Sequence, residues 1–249
     1  MRRAAWVATL LSLPLFLGLW QLVAASHLVN ALLFPPPTRV LQALYGYLDS
    51  REGWTDIGWS IERAVIGYGA GAAAGIATGL LTGSNRVAAG LFTPVFQLLR
   101  PIPPIAFVPI VIVWFGLSEF GKWFVVCWGV FFTVWLATHL GLQRTSETYV
   151  RAARSLGADA STVLWTIRLP AALPFVFVGL RTGITIAFYA LVSAELAGAS
   201  AGIAYRLAIT QQNLQIATMM AGLIVLGVLS LFADRVFEAL ARHVVHWSS

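Results

Sequence analysis

The strongest constraint on this chain is a series of long runs almost free of charge. Residues 4–25 hold no Asp, Glu, Lys or Arg, and about 20 apolar residues suffice for one helical crossing of a bilayer core about 30 Å thick. Across the 249 residues, 59% are hydrophobic and 10% charged, against roughly 25% charged in a soluble domain. The chain therefore reads as an all-α polytopic membrane protein with no room for a sizeable soluble domain. Its apolar runs place six spans near 5–25, 57–83, 87–116, 122–142, 172–196 and 215–234.

The formal charge of +6 is spread over short connections, which suits membrane topology rather than nucleic acid. With the N-terminus inside, Arg2, Arg3, Arg86, Arg144, Arg151, Arg154, Arg168, Arg235 and Arg242 face the cytoplasm. Arg39, Arg51, Lys122 and Arg206 then face outward. That imbalance predicts two cytoplasmic termini and puts residues 143–171, between spans four and five, on the cytoplasmic side. Arg2 and Arg3 ahead of the first run, with Ala24, Ala25 and Ser26 behind it, also fit a secretory signal. The run exceeds the roughly 7–15 residues of a signal's apolar region, so a retained first span is expected.

Helix breakers and small residues add local detail. Pro35, Pro36 and Pro37 impose extended backbone, after which Thr38 is expected to cap a short amphipathic helix; the segment reads as a surface connection. Gly67, Gly71, Gly75, Gly79 and Gly83 recur every four residues in span two, giving a helix face without side chains. Close helix packing is the expected use, a substrate groove the alternative. Pro101, Pro103, Pro104 and Pro109 interrupt span three. Broken backbone at membrane depth is tolerated where protein buries it or where it lines a watery cavity. This segment, with Gln97 and Arg100, is thus a pathway candidate, or else a kink serving packing alone. Arg181 and Glu195 in span five are costly charges that ordinarily face protein or water. Arg181 is open to structural pairing, and Glu195 to an outer gate or to solvation. Cys127 stands alone, so no intrachain disulfide forms, and a metal cluster is not expected. His139 is expected to be packed or hydrogen-bonded, and His243 and His246 to belong to a solvated end. No metal site is expected.

Residues 147–170 break the apolar pattern. Tyr149, Ala152, Ala153 and Leu156 share one helical face, while Glu147, Arg151 and Arg154 share another, with Glu147 and Arg151 spaced to pair. Gly157 supplies a stop, Asp159 a cap for a second helix, Val163, Leu164 and Ile167 its apolar side, and Pro170 its end. A helix, turn and helix of this kind suits a groove on a soluble partner or the lipid surface.

Ala152 and Ala153, Gly157, then Ile167, Leu169 and Pro170 resemble the "EAA" loop of permease subunits in ABC importers. Arg151 stands where that family has Glu, which inverts one charge at the docking surface. The resemblance extends through "FPPPTRVLQAL", "LLRPIPPIAFVPIVIVWFGLSEFGK", "AARSLGA", "LPAALPFVFVGLR" and "AELAGASAGIAY", which look like the nitrate, sulfonate and taurine branch. It implies a type I importer permease fold of six transmembrane helices in a bacterial cytoplasmic (inner) membrane. Residues 143–171 become the coupling-helix loop, with Arg151, Ala152, Ala153, Arg154, Leu156, Gly157, Ala158, Ile167, Leu169 and Pro170 contacting the ATPase. The implied partners are two ATP-binding-cassette ATPase subunits, a second permease subunit forming a homodimer, and an extracytoplasmic solute-binding protein. No GxxxxGK[ST] phosphate loop occurs in this sequence, so ATP and Mg are expected on the partner ATPase, with no cofactor and no catalysis here. The implied cargo is a small, anionic solute.

A membrane enzyme would need an HExxH helix, a GxSxG nucleophile turn or an intramembrane carboxylate pair; there is no HExxH and no carboxylate pair within one span, and the single GxSxG match, residues 198–202, lies in the small-residue run after span five rather than between a strand and a helix. A secondary transporter would show repeats and paired broken helices, and an exporter domain would lack the outer proline loop.

Overall fold

The computed structural model describes residues 2–26 and 29–244, the first nine and last two of these by backbone only. Eleven helices account for nearly all of it: α1 (Arg2–Ala25), α2 (Pro37–Asp49), α3 (Arg51–Ser84), α4 (Arg86–Leu99), α5 (Pro104–Phe115), α6 (Glu119–Gln143), α7 (Glu147–Ser155), α8 (Ala160–Val163), α9 (Leu169–Leu196), α10 (Ile203–Gln212) and α11 (Ile216–Val244). Among the described residues, four stretches are long and apolar enough to cross a membrane: Arg51–Ser84, Glu119–Gln143, Ala160–Leu196 and Ile216–Arg242. The bent pair α4 and α5 makes a fifth if counted as one span, and Leu11–Ala25 is a shorter apolar stretch.

Two compact units divide the chain: one holds the residues up to Trp59 together with Ser200–Gly227, the other Ser60–Ala199 and the residues from Val228 onward. In the first, Trp20 Nε1 donates to the Pro35 carbonyl at 3.2 Å, and the Trp20 ring meets Phe16 and Phe34. Helix α2 begins at Pro37, with Pro36 as its cap and no side-chain cap bond. Thr38 therefore does not cap it. Pro37 occupies the first helical position, where a missing N–H costs nothing and the fixed φ already suits a helix.

The second unit is built around α6. Val125, Val126, Val130, Val134 and Trp135 of that helix are buried, and α3, α5 and α9 pack on it. The glycine face of α3 lies against α6: a Cβ at Gly67 would stand 2.5 Å from Val126 Cβ, at Gly71 2.7 Å from the Cys127 carbonyl oxygen, and at Gly79 2.5 Å from Thr138 Cβ. These distances leave no room for a methyl group, so the stripe serves close helix packing rather than an open groove. On another side of α6, Gly141 meets Ala172 and Phe175 of α9, and the Arg144 guanidinium lies over the Phe175 ring at 5.3 Å.

The proline-rich break separates α4 from α5 by a 99° bend. Aromatic contacts hold both limbs to α6: Phe96 lies edge-on to Phe131 and Trp135, and Phe107 packs on Trp128 with ring centroids 4.1 Å apart. Offset and edge-on ring pairs contribute about 0.5–1.5 kcal/mol each beyond their burial, so the bend is anchored rather than loose.

Candidate functional site

Among the described residues, three clusters stand out in the second unit and one in the first. The first of the three is the element at the end of α6 and the start of α9. Ser146 caps α7 by accepting from the Thr148 N–H. The helix ends where Gly157 takes a φ of +88°, with the Ala158 N–H reaching the Ala153 carbonyl at 3.0 Å and Gly157 N–H the Arg154 carbonyl at 3.0 Å. That left-handed turn satisfies carbonyls that a helix end would otherwise leave orphaned. Asp159 Oδ1 then accepts from the Thr162 N–H at 2.9 Å. This holds the Asp159 carboxyl below its ordinary range, chiefly through Thr162. The expected helix, glycine stop and acidic cap are all present.

Two details differ from expectation. Pro170 does not end the second helix. From Ala160 the chain runs through a π-helical turn at Leu164–Arg168 straight into α9, with Pro170 in its first turn. A proline crowds the carbonyl four residues before it and donates no bond; that carbonyl belongs to Thr166, inside the widened turn, so the helix bulges instead of stopping. Glu147 pairs with Arg168 at 3.5 Å rather than with Arg151, because the chain folds back and brings α9's entry beside α7.

Of the α7 side chains, Val150 is fully buried and fixes the helix to the unit, while Tyr149, Arg151, Ala152 and Arg154 are exposed. Leu156 is 89% exposed; Ala153 and Ala158 are half-buried and Gly157 exposed. Ile167, Leu169 and Pro170 are half-buried. The element thus presents Tyr149, Ala152 and Leu156 outward, an apolar edge bordered by Arg151 and Arg154.

The second cluster lies at the opposite end of the helices, since α6 starts here and spans about 37 Å at 1.5 Å per residue. Arg63 on α3 donates from Nε to Glu119 Oε2 at 2.6 Å, from Nη2 to Glu119 Oε1 at 2.9 Å and from Nη1 to Glu195 Oε1 at 2.9 Å. Ser60 Oγ also donates to Glu195 Oε1 at 2.7 Å. Lys122 Nζ donates to Glu119 Oε1 at 2.8 Å and to the Leu117 carbonyl at 3.1 Å. The Arg63 side chain is 1% exposed and that of Glu195 0%. Glu195 is therefore not solvated: it is the acid of a buried network joining α3, α6 and α9. Sequence reading missed Arg63, although a charge inside an apolar run is itself a functional signal.

The third cluster joins α9 to α11. Arg181 donates from Nε and Nη2 to the two Asp234 oxygens, each at 2.8 Å, and from Nη2 to Glu238 at 3.0 Å. Arg181 and Glu195 are fourteen residues apart on one helix, about 21 Å, and serve different ion-pair clusters. The pathway candidates thus do not converge on one site. Gln97, Arg100, Pro101 and Pro103 are exposed and Pro104 half-buried, with Arg100 capping α4 through its N–H to the Phe96 carbonyl at 2.9 Å and Pro103 capping α5. In the other unit, Asp56 accepts from the Gly202 N–H at 2.9 Å and from Arg206 Nε at 2.7 Å. Arg206 is held more basic than usual: burial opposes the charge, but Asp56 and then Glu52 outweigh it. These bonds order the "AGASAG" run into the entry of α10, a helix the apolar pattern does not announce.

His139 bonds Thr82 through Nδ1 and Gln143 through Nε2, both at 3.0 Å. Among the described residues no three His, Cys, Asp or Glu side chains gather at metal-binding distance. His246 lies outside the described residues, as does the His243 side chain.

Comparison with known proteins places this architecture. Residues 71–246 match the family described as binding-protein-dependent transport system inner membrane component. The taurine transport system permease protein TauC of Escherichia coli (strain K12) is 31% identical over 242 residues, covering 95% of this chain and 88% of that protein. The nitrate import permease protein NrtB of Synechocystis sp. is 30% identical, covering 94% and 87%. Among solved structures, a chain of the MetNI methionine ABC transporter in an inward-facing conformation superposes with a TM-score of 0.60 at 16% identity, covering 84% of this chain and 98% of that one. With most of its length inside the family match and its helices in the importer permease fold, the chain belongs to the binding-protein-dependent transport system inner membrane components, the multi-pass permease subunits of ABC transporters.

Proposed function

We propose that this permease docks onto two ATP-binding-cassette ATPase subunits through α7, the Gly157 turn and α8, and that a pair of such chains carries a small anionic solute. The observation that carries the reading is the Tyr149, Ala152 and Leu156 edge: an apolar surface on a short helix held from behind by Val150 and stopped by a left-handed glycine. A free apolar edge on a rigid helix matches helix-in-groove recognition, where a few side chains carry the contact. ATP and Mg act on the partner chains. Closure of the two ATPases draws the docked elements together and, through the unbroken helix from Ala160 to Leu196, tilts α9 against α6.

The orientation puts α7 and both termini in the cytoplasm of a bacterial cell, following the Arg and Lys imbalance across the connections. An extracytoplasmic solute-binding protein delivers cargo at the other face. The partner permease is a second copy of this chain. A small solute with an anionic group, taurine-, sulfonate- or nitrate-like, is the cargo, on the strength of relatives whose names carry taurine and nitrate. The alternative for α7, an amphipathic element lying on the lipid surface, leaves the apolar edge to lipid.

The test is co-purification of the tagged chain with the ATPase encoded beside it, in mild detergent. Leu156→Asp and Gly157→Pro should each lose the ATPase while the native chain retains it. Full retention by both variants would return α7 to the lipid surface.

A further inference from the structure

Beside the docking element lies a polar cavity that the proposed function does not use. It has a volume of about 570 Å³ and is lined by Asn85, Arg86, Gln143, Glu147, Arg154 and Arg168 among others, inside the range of about 300–1,000 Å³ typical of small-molecule sites. Three guanidinium groups face one carboxylate. In its wall, Arg168 pairs with Glu147 only through a long Nη2 contact at 3.5 Å, with its side chain 23% exposed. A guanidinium so weakly paired keeps its outer nitrogens available to an anion in the cavity, where charge-assisted bonds are shorter and stronger. The start of α4 adds the positive end of a helix dipole.

Depth identifies the class of anion. The cavity sits where the spans Arg51–Ser84 and Glu119–Gln143 end, which is the level of lipid headgroups. Arginine forks match the paired oxygens of a phosphate. We propose that this cavity binds the phosphate of an anionic phospholipid headgroup, or a free phosphate of the same chemistry, bridging the α3–α4 turn to α7 and the π-helical turn. Occupancy would stiffen the base of the docking element and tie its rigidity to the anionic lipid content of the membrane.

The full chain, purified in a neutral detergent, is titrated with short-chain phosphatidylglycerol, short-chain phosphatidylcholine or inorganic phosphate while its thermal midpoint is followed. Phosphatidylglycerol should raise the midpoint saturably. Arg86→Gln and Arg154→Gln should raise the half-saturating concentration about tenfold, the loss of one charge-assisted bond. Glu147→Gln should lower it, a gain that a damaged fold cannot imitate. A shift from phosphatidylglycerol alone identifies lipid as the source; an equal shift from inorganic phosphate identifies a free anion in the same site. The proposal falls if neither anion shifts the native midpoint, if phosphatidylcholine acts as strongly as phosphatidylglycerol, or if the variants titrate like the native chain.

Discussion

Replacing Arg63 by methionine removes one cation from between two carboxylates. Glu119 keeps Lys122 at 2.8 Å and is 29% exposed, so water and that ammonium cover much of its loss. Glu195 is fully buried and keeps the Ser60 hydroxyl but loses its guanidinium at 2.9 Å. Removing one partner of a buried pair costs about 3–5 kcal/mol, and Glu195 carries most of it here. Glu195→Met is milder, about 1–3 kcal/mol, because Arg63 stays bound to Glu119 through two bonds. In the double variant Arg63→Met, Glu195→Met neither charge of the buried pair remains, and apolar replacements of a buried pair are often neutral. The double variant should therefore be more stable than Arg63→Met alone, a coupling of about 1–3 kcal/mol. Unfolding of the purified chain in mild detergent, driven by heat or by added sodium dodecyl sulfate, reads this cycle. At about 2–4 °C per kcal/mol for a chain of this size, Arg63→Met should lower the thermal midpoint by roughly 6–20 °C. Additive losses, with the double variant the least stable of the three, would refute the coupling and with it the view that Arg63 exists to neutralise Glu195.

Other outcomes follow from the helix packing and from α7 with its glycine turn. Gly79→Ala places a methyl 2.5 Å from Thr138 Cβ and should destabilise by about 1–3 kcal/mol; Gly69→Ala, with nothing within 4 Å, should be neutral or slightly stabilising by thermal midpoint. Leu156→Asp should leave the midpoint within about 0.5 kcal/mol of native, as exposed substitutions do, while abolishing ATPase co-purification, which separates docking from folding. Gly157→Ala forces a Cβ into the left-handed region at a cost of about 1–2 kcal/mol, visible as faster amide exchange over residues 153–160. The Asp159 cap has a depressed carboxyl pKa in the folded chain, so its contribution is full above the ordinary aspartate pKa and is lost as pH falls through the folded value. Protection of the Thr162 amide, taken relative to its intrinsic exchange rate at each pH, should fall only under acid conditions, and Asp159→Ala should abolish that pH dependence.

Sequence alone determined the class, the breaks and the element made of α7, its glycine turn and α8. Charge-free runs leave a chain little choice but helices in lipid, because every backbone polar group must be satisfied within its own segment. Gly157 and Asp159 announce a stop and a cap through conformational freedom and hydrogen bonding, both local properties. The four-residue glycine spacing on α3 announces a close neighbour without naming α6.

Only the tertiary structure decided which charges meet. Ser60, Arg63, Glu119, Lys122 and Glu195 come from three helices, and Arg63 is 132 residues from Glu195; no spacing rule reaches across that distance. The same holds for Glu147, whose local partner Arg151 loses to Arg168 because the α9 entry folds back beside α7. Pro170 reads as a terminator by its chemistry, yet a continuing helix is the better solution when both flanks are packed and a π-helical turn can absorb the missing bond. Local rules act through neighbours in the chain, whereas ion pairs and helix continuity are set by neighbours in space.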